Sequence, residues 1–293
     1  MILKDLKQIT VVGLGLLGGS ISLAVLRSLP RIKVVGHSHR PATRRKAREN
    51  AIATEIVDDL SESVSRAELV ILATPICTFE EIFGVIGRKL RPDCIVTDVG
   101  STKVLPHRWA AKKLPKSVHY VGSHPIAGSE QRGIEFARDD LFDQAGCILT
   151  TTKTTNRRAV QILEGFWSSL GCNVKLMTPS DHDKIFANVS HLPHIIATAL
   201  INASSSEELK FAGKGFIDTS RIASGPANIW ANVLLTNADN AARGIDKIIG
   251  ELRKLKKAVT NQDKKEIESL LDAARKKRKT LINYKMKRKE LLS

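Results

Sequence analysis

The chain has no apolar run approaching the roughly 20 residues that a bilayer-spanning helix needs, so no transmembrane helix is expected. Met1 to Thr10 hold polar residues leading into a strand, not the long apolar stretch of a signal peptide. Cysteine is scarce: Cys77, Cys94, Cys147 and Cys172 lie far apart, with no Cys-x-x-Cys pair. That spacing argues against a structural zinc or a disulfide framework, and a reducing cytoplasm is the expected compartment. Aromatics make up only 4% of the residues, which leaves no interleaved platform for stacking nucleic-acid bases.

Positive charge, in contrast, is abundant. The formal net charge of +16 raises the question of a polyanionic partner. From Asp246 to Ser293, however, 16 Lys and Arg stand against 7 Asp and Glu, so +9 of the +16 lies in the last 48 residues. The runs Arg275 to Lys279 and Lys285 to Lys289 alternate with Ile248, Leu252, Leu255, Ile267, Leu270 and Leu271 at helical spacing, the pattern of a solvated face on amphipathic helices. Neither membrane nor nucleic acid is an expected partner. A basic surface would raise the local concentration of an anionic substrate, without specificity.

The first half alternates short apolar runs with helical patterns. Gln8-Ile9-Thr10-Val11-Val12 reads as a strand, followed by glycines and a helix through Ser20 to Ser28. Arg31 to Gly36 is a second strand and Ala42 to Asn50 a second helix; Glu68 to Ala73 and Cys94 to Asp98 are further buried strands. Repeated β-α-β units imply a doubly wound parallel sheet of the Rossmann type. Tyr120 to Ser123, Cys147 to Thr151 and Asn173 to Met177 are expected to extend it. After Pro179, with Ser180 as the expected N-cap, only helical periodicity remains. The expected domains are therefore 1–178, which binds a dinucleotide, and 179–293, which is all-helical.

Gly13-Leu14-Gly15-Leu16-Leu17-Gly18 is a GxGxxG set between a strand and a helix. Gly13 permits the tight turn, Gly15 the approach of a pyrophosphate, and Gly18 the packing of helix on strand. Where an NAD site usually carries Asp or Glu for the ribose 2′-hydroxyl, the second strand ends in Ser38-His39-Arg40, with Arg44 and Arg45 close behind. A carboxylate would repel a 2′-phosphate, whereas serine and arginine can bind one, so NADP is favoured over NAD. Thr74 and Pro75, after the Glu68 to Ala73 strand, complete the expected cofactor contacts.

Five segments behind this fingerprint resemble the prephenate and arogenate dehydrogenase family: Asp98-Val99-Gly100-Ser101, Ser123-His124-Pro125-Ile126-Ala127-Gly128-Ser129-Glu130, Pro179 to Asp183, Val189-Ser190-His191-Leu192-Pro193-His194 and Phe216-Ile217-Asp218-Thr219-Ser220-Arg221-Ile222-Ala223. The resemblance covers roughly residues 8 to 260. It implies a Rossmann domain followed by a helical domain that forms a homodimer and carries substrate contacts. It also implies a dianionic small-molecule substrate that is oxidised and decarboxylated in tyrosine biosynthesis. Prephenate is favoured and arogenate is the alternative; they differ by a keto group against an ammonium.

Such chemistry needs an acceptor for the substrate hydroxyl proton, cations for carboxylates, and a held nicotinamide. His124, expected on a loop at a turn set by Pro125, is the proton acceptor. The resemblance makes Ser101 the serine that hydrogen-bonds this histidine. Arg221 suits a carboxylate through two charge-assisted bonds, and Asp218 is the carboxylate available to an ammonium. His191 and His194 are three apart, on one helical face if the helix runs through Pro193. The resemblance implies that His194 contacts the substrate side chain and that His191 supports it. No third ligand accompanies them, so no metal is expected.

Two features run against the resemblance. Ser224-Gly225-Pro226 stands where the family often shows an Asp-Pro or Asn-Pro pair. No regulatory domain is expected beyond the basic helical tail, so inhibition by tyrosine is expected to be competitive. Lys184 and Asn188 supply the Lys-x-x-x-Asn pair of β-hydroxyacid dehydrogenases, the nearest enzymatic rival. A non-catalytic dinucleotide sensor with a basic tail is the reading from another class.

Overall fold

The computed structural model describes residues 3–127, 131 and 133–287. Six parallel strands form the first sheet: β1 (Gln8–Val12), β2 (Lys33–His37), β3 (Glu55–Ile56), β4 (Leu69–Leu72), β5 (Ile95–Asp98) and β6 (His119–Tyr120), in the order β3-β2-β1-β4-β5-β6. That is the doubly wound order, with its switch point between β1 and β4. Strand parity divides the core. Ile9, Val11, Leu69 and Ile71 enter one buried cluster, while Val12, Val70, Leu72 and Val96 enter the other. Both faces are therefore apolar, as a parallel sheet covered on both sides requires. The helices of this part are α1 (Leu16–Ser28), α2 (Pro41–Glu49), α3 (Leu60–Val64), α4 (Phe79–Ile86), α5 (Val104–Lys113) and α6 (Arg157–Ser169).

The expectation that the later strands extend this sheet holds for Tyr120, in β6, and is corrected for the rest. β7 (Gly122–Ile126), β8 (Gly146–Thr150) and β9 (Asn173–Met177) make a separate three-stranded sheet. Val121 N still donates to Val96 O at 3.1 Å, but the next residues turn to pair antiparallel with β8. His124 consequently lies inside β7, opposite Ile148, and not on the expected loop.

Beyond β9 the described elements are helical: α7 (Pro179–Phe186), α8 (Leu192–Asn202), α9 (Ser206–Leu209), α10 (Lys214–Ser220), α11 (Ala227–Thr236), α12 (Ala238–Thr260) and α13 (Lys264–Lys287). The N-cap of α7 is Thr178, whose hydroxyl accepts from Asp181 N at 3.1 Å, and not Ser180. Pro179 supplies the reason: it lacks an N–H and has a helical φ, so it takes the first helical position and the cap must precede it. The chain divides into two compact units, and the division falls between Ala238 and Asp239. Every side chain of the site described below belongs to the first unit. Among the described residues, no helix is long and apolar enough to cross a membrane.

Candidate active site

The turn after β1 is built for a close ligand. Gly13 has φ +100°, and a Cβ there would fall 2.6 Å from Ala73 O. At Gly18 a Cβ would fall 1.8 Å from Gly13 O, so only hydrogen lets α1 approach the turn. Around Gly15, the N-cap of α1, the space is open: a Cβ would meet nothing within 4 Å. Leu14 is buried, Leu16 and Leu17 are half-buried, and Thr74 and Pro75 follow β4 beside Gly13. A tight glycine turn, free space above it and a 13-residue helix starting at that point fit the pyrophosphate of a dinucleotide.

At the end of β2, Ser38 is buried while His39 and Arg40 are exposed. Arg44 is not a free cation. Its guanidinium donates to the carbonyls of Ser38 at 2.7 Å and His39 at 3.2 Å, and to Asp58 Oδ1 at 2.7 Å. Arg45 lies 3.8 Å from Glu49. Arg44 thus braces the loop from below, which leaves Arg40, among these three arginines, as the cation available beside Ser38.

The chemistry concentrates around His124. Its Nδ1 lies 2.8 Å from His182 Nε2, and His182 Nδ1 lies 2.8 Å from Asp183 Oδ1. The backbone N–H groups of Lys103 and Val104 donate to the two Asp183 oxygens at 2.7 and 2.8 Å. An ionised carboxylate can only accept, so His182 carries its proton on Nδ1 and offers Nε2 as an acceptor. His124 must then donate from Nδ1, which leaves its Nε2 lone pair bare. The rings are fixed as well as bonded: Phe186 stacks on His182 at 4.5 Å and lies 4.8 Å from His124.

Burial, reinforced by His182, Lys103 and His191, holds the His124 imidazole well below its ordinary pKa. His182 is pushed down to about 2 by burial and the nearby Lys103, and His191 to about 4 by burial. Burial raises the Asp183 carboxyl, against the two backbone donors that lower it. At neutral pH the three histidines are uncharged, and a bare nitrogen on His124 is a proton acceptor. Ser101 sits half-buried just after Gly100; among the described residues no hydrogen bond joins it to His124.

The helix does run through Pro193, by way of a π-helical turn over Ala187–His191. Leu192 N reaches back five residues to Ala187 O, just before Pro193, which has no N–H to continue the ladder. His191 and His194 are both buried. His194 stacks on Trp230 at 3.7 Å and 9° and bonds the Ile222 backbone, while its Nδ1 has no partner. His191 Nδ1 lies 3.3 Å from the Asn237 amide nitrogen, which can only donate, so Nε2 of His191 carries the proton and is also unpartnered. The unusual Ser224-Gly225-Pro226 has a local cause. A Cβ at Gly225 would fall 2.4 Å from Trp230 Nε1 and 3.1 Å from His194 Cε1.

Arg221 directly precedes Ile222, whose backbone bonds His194, and Asp218 lies on the helix before it. Arg221 opens a short 3₁₀ turn and lines a largely apolar hollow of about 470 Å³ with Ile201, Leu209, Phe216 and Ile217. Asp218 is exposed on α10. Gly128-Ser129-Glu130 of the histidine motif lie outside the described residues. Lys184 and Asn188 are exposed, and the Asn188 amide donates to the Lys184 carbonyl at 2.8 Å. That pair is a local helix contact. Among the described residues, no three His, Cys, Asp or Glu side chains are grouped to hold a metal ion.

Three participants, His182, Asp183 and Lys103, go beyond what the sequence announces. In the sequence, Asp181-His182-Asp183 belongs to the family-like segment Pro179 to Asp183 with no role assigned to it, and Lys103 carries no expectation. The available signal is a run of ionisable residues at the start of a helix, but nothing in it identifies a partner 58 residues away.

Residues 21–176 match the family model described as "Prephenate dehydrogenase, nucleotide-binding domain", and 178–273 match "Prephenate dehydrogenase, dimerization domain". The cyclohexadienyl dehydrogenase of Zymomonas mobilis is 31% identical over 264 residues, 88% of this chain and 90% of that protein. The crystal structure of prephenate dehydrogenase from A. aeolicus, in complex with hydroxyphenyl propionate and NAD+, is similar at a TM-score of 0.88 and 31% identity, covering 94% of this chain and 99% of that one. Synechocystis arogenate dehydrogenase is similar at a TM-score of 0.81 and 31% identity, over 94% and 99% of the two chains.

Proposed function

The chain belongs to the prephenate dehydrogenase family, and on that premise we propose that it converts prephenate to 4-hydroxyphenylpyruvate and carbon dioxide with reduction of NAD(P)+. The observation that carries this reading is the Asp183–His182–His124 relay, which leaves one nitrogen of His124 as a bare acceptor. His124 Nε2 takes the proton of the 4-hydroxyl as the carbon–oxygen bond becomes a carbonyl. His182 and Asp183 hold the imidazole in the tautomer that can accept, and stabilise it once charged. When bound, the nicotinamide supplies the acceptor for the hydride. Loss of carbon dioxide from the opposite ring carbon then makes the ring aromatic.

Gly13, Leu14, Gly15, Leu16, Leu17, Gly18, Thr74 and Pro75 hold the dinucleotide, and Ser38, His39 and Arg40 hold the ribose end. NADP+ is the preferred cofactor, supported by a buried hydroxyl where a carboxylate would repel the 2′-phosphate and by the exposed Arg40. Ser101 orients the substrate hydroxyl, Arg221 takes a carboxylate, His194 contacts the substrate side chain and His191 supports it. The functional domains are 1–178 and 179–293, supported by family matches that meet between 176 and 178. The chain is a homodimer through its helical region, supported by the description of the second family match and by Phe211, Ile217 and Leu235, which are exposed at 89%, 59% and 73%. A cytoplasmic location is part of the same reading.

Arogenate is the second reading. His194 donates one N–H to the Ile222 backbone and presents bare Nδ1, an acceptor that suits an ammonium. A two-by-two assay of prephenate and arogenate with NAD+ and NADP+, followed by reduced-cofactor absorbance, decides both questions. Folded, cofactor-binding protein that turns over neither substrate would reject the proposal.

A further inference from the structure

Asp98-Val99-Gly100-Ser101 leads to Lys103, a lysine with no exposed surface. An ammonium in such a place is costly unless it is paired and fully bonded. Lys103 Nζ donates to Asp98 Oδ1 and to the Ser123 carbonyl. Asp98, also fully buried, accepts in addition from Gly100 N at 2.7 Å and from Tyr120 Oη at 2.6 Å. Ser123 is the residue before His124, and its hydroxyl is tied to Thr97 Oγ1 at 2.6 Å and Trp167 Nε1 at 3.0 Å. The backbone N–H of the same lysine bonds Asp183, at the far end of the relay that orients His124. One residue therefore grips the histidine from both sides.

A buried ion pair is weak evidence for stability, since an apolar pair of equal volume often serves as well. Its placement has a better explanation. We propose that Lys103 is a positioning residue for proton transfer at His124, its ammonium fixing the Ser123 carbonyl against Asp98 and thereby the direction of His124 Nε2. The proposal rests on the reading of His124 as the proton acceptor. Among the described residues, the charged and titratable groups that face His124 are His182 of α7 with Asp183 behind it, His191 of the π-helical turn, Cys147 of β8 and Lys103 itself. Positive charge at Lys103 disfavours a second positive charge on the imidazole, so it also keeps the acceptor free.

The test is Lys103→Met, with kcat and KM measured across pH using prephenate and NADP+ or NAD+. A displacement of about 1 Å at the acceptor predicts a fall in kcat of about 10²-fold. Cofactor KM stays unchanged, and the acid limb of the kcat profile moves to higher pH. Lys103→Arg, which keeps the charge but not the fit, leaves that limb in place while kcat stays low. Because the single change strands Asp98, Lys103→Met/Asp98→Asn is measured beside it and carries the same expectation for kcat. Wild-type kcat and an unmoved limb in either folded neutral variant overturn the proposal. His124→Asn, run in parallel, separates the two claims: if it retains turnover, the assignment of the acceptor fails, whatever Lys103 does.

Discussion

Acidification from pH 7 to 5 should destabilise the fold through the same histidines that make the site. His182 and His191 are buried, with pKa values held to about 2 and about 4. In the unfolded chain each would titrate near 6.5. A depressed folded value means that this stability is present above 6.5 and is lost as pH falls from there toward the folded values, because only the unfolded chain takes up the proton. Between pH 7 and 5 the loss is about 2 kcal/mol for each, hence about 4 kcal/mol for the two. His107, pushed down to about 4 by burial, and His124 act in the same direction. Asp183, raised by burial, opposes them. Whole domains are stable by only about 5–15 kcal/mol, so the effect is large. Urea unfolding at fixed protein concentration, followed by fluorescence of the buried Trp167, reads it directly. His191→Asn should lower the slope with pH by about 1.4 kcal/mol per unit. Equal unfolding free energies at pH 5 and pH 7 would refute the assignment of neutral buried histidines.

The other predictions concern turnover and cofactor. His124→Asn should lower kcat by about 10²–10⁴ while leaving cofactor affinity intact, and weakened cofactor binding would point to a structural role instead. The acid limb of the wild-type kcat/KM profile should lie below pH 6.5, since burial keeps His124 unprotonated there; a limb above 6.5 contradicts the relay. Ser38→Asp should turn the NADP+/NAD+ ratio of kcat/KM toward NAD+ by at least about tenfold, equivalent to 1.4 kcal/mol of repulsion. An unmoved ratio would mean that the end of β2 does not meet the 2′-phosphate. Gly18→Ala places a carbon where only 1.8 Å is available, so α1 must shift and cofactor titration should show at least about tenfold weaker binding.

The parts legible without a structure are local ones. Gln8–Val12 and the glycines after it are read from their own few residues, because buried parallel strands are continuous apolar runs and a φ of +100° at Gly13 admits little else. His124, His194 and Arg221 are reached from short motifs. Their arrangement is not. Nothing near Val121 announces that β6 and β7 belong to different sheets, since the two short strands are one residue apart and only the choice of partner separates them.

The order of residues along the chain is thus enough for the parallel sheet, the dinucleotide turn, the helical second half and the choice of His124 as the proposed proton acceptor. Folding in three dimensions is what brings His182, Asp183 and Lys103 to His124. Their hydrogen bonds span 58, 80 and 20 residues, and a hydrogen bond leaves no periodic trace in the chain. The tautomer is settled at the same level, because which nitrogen carries the proton follows from the partner of the other, and that partner is known only once the chain has folded.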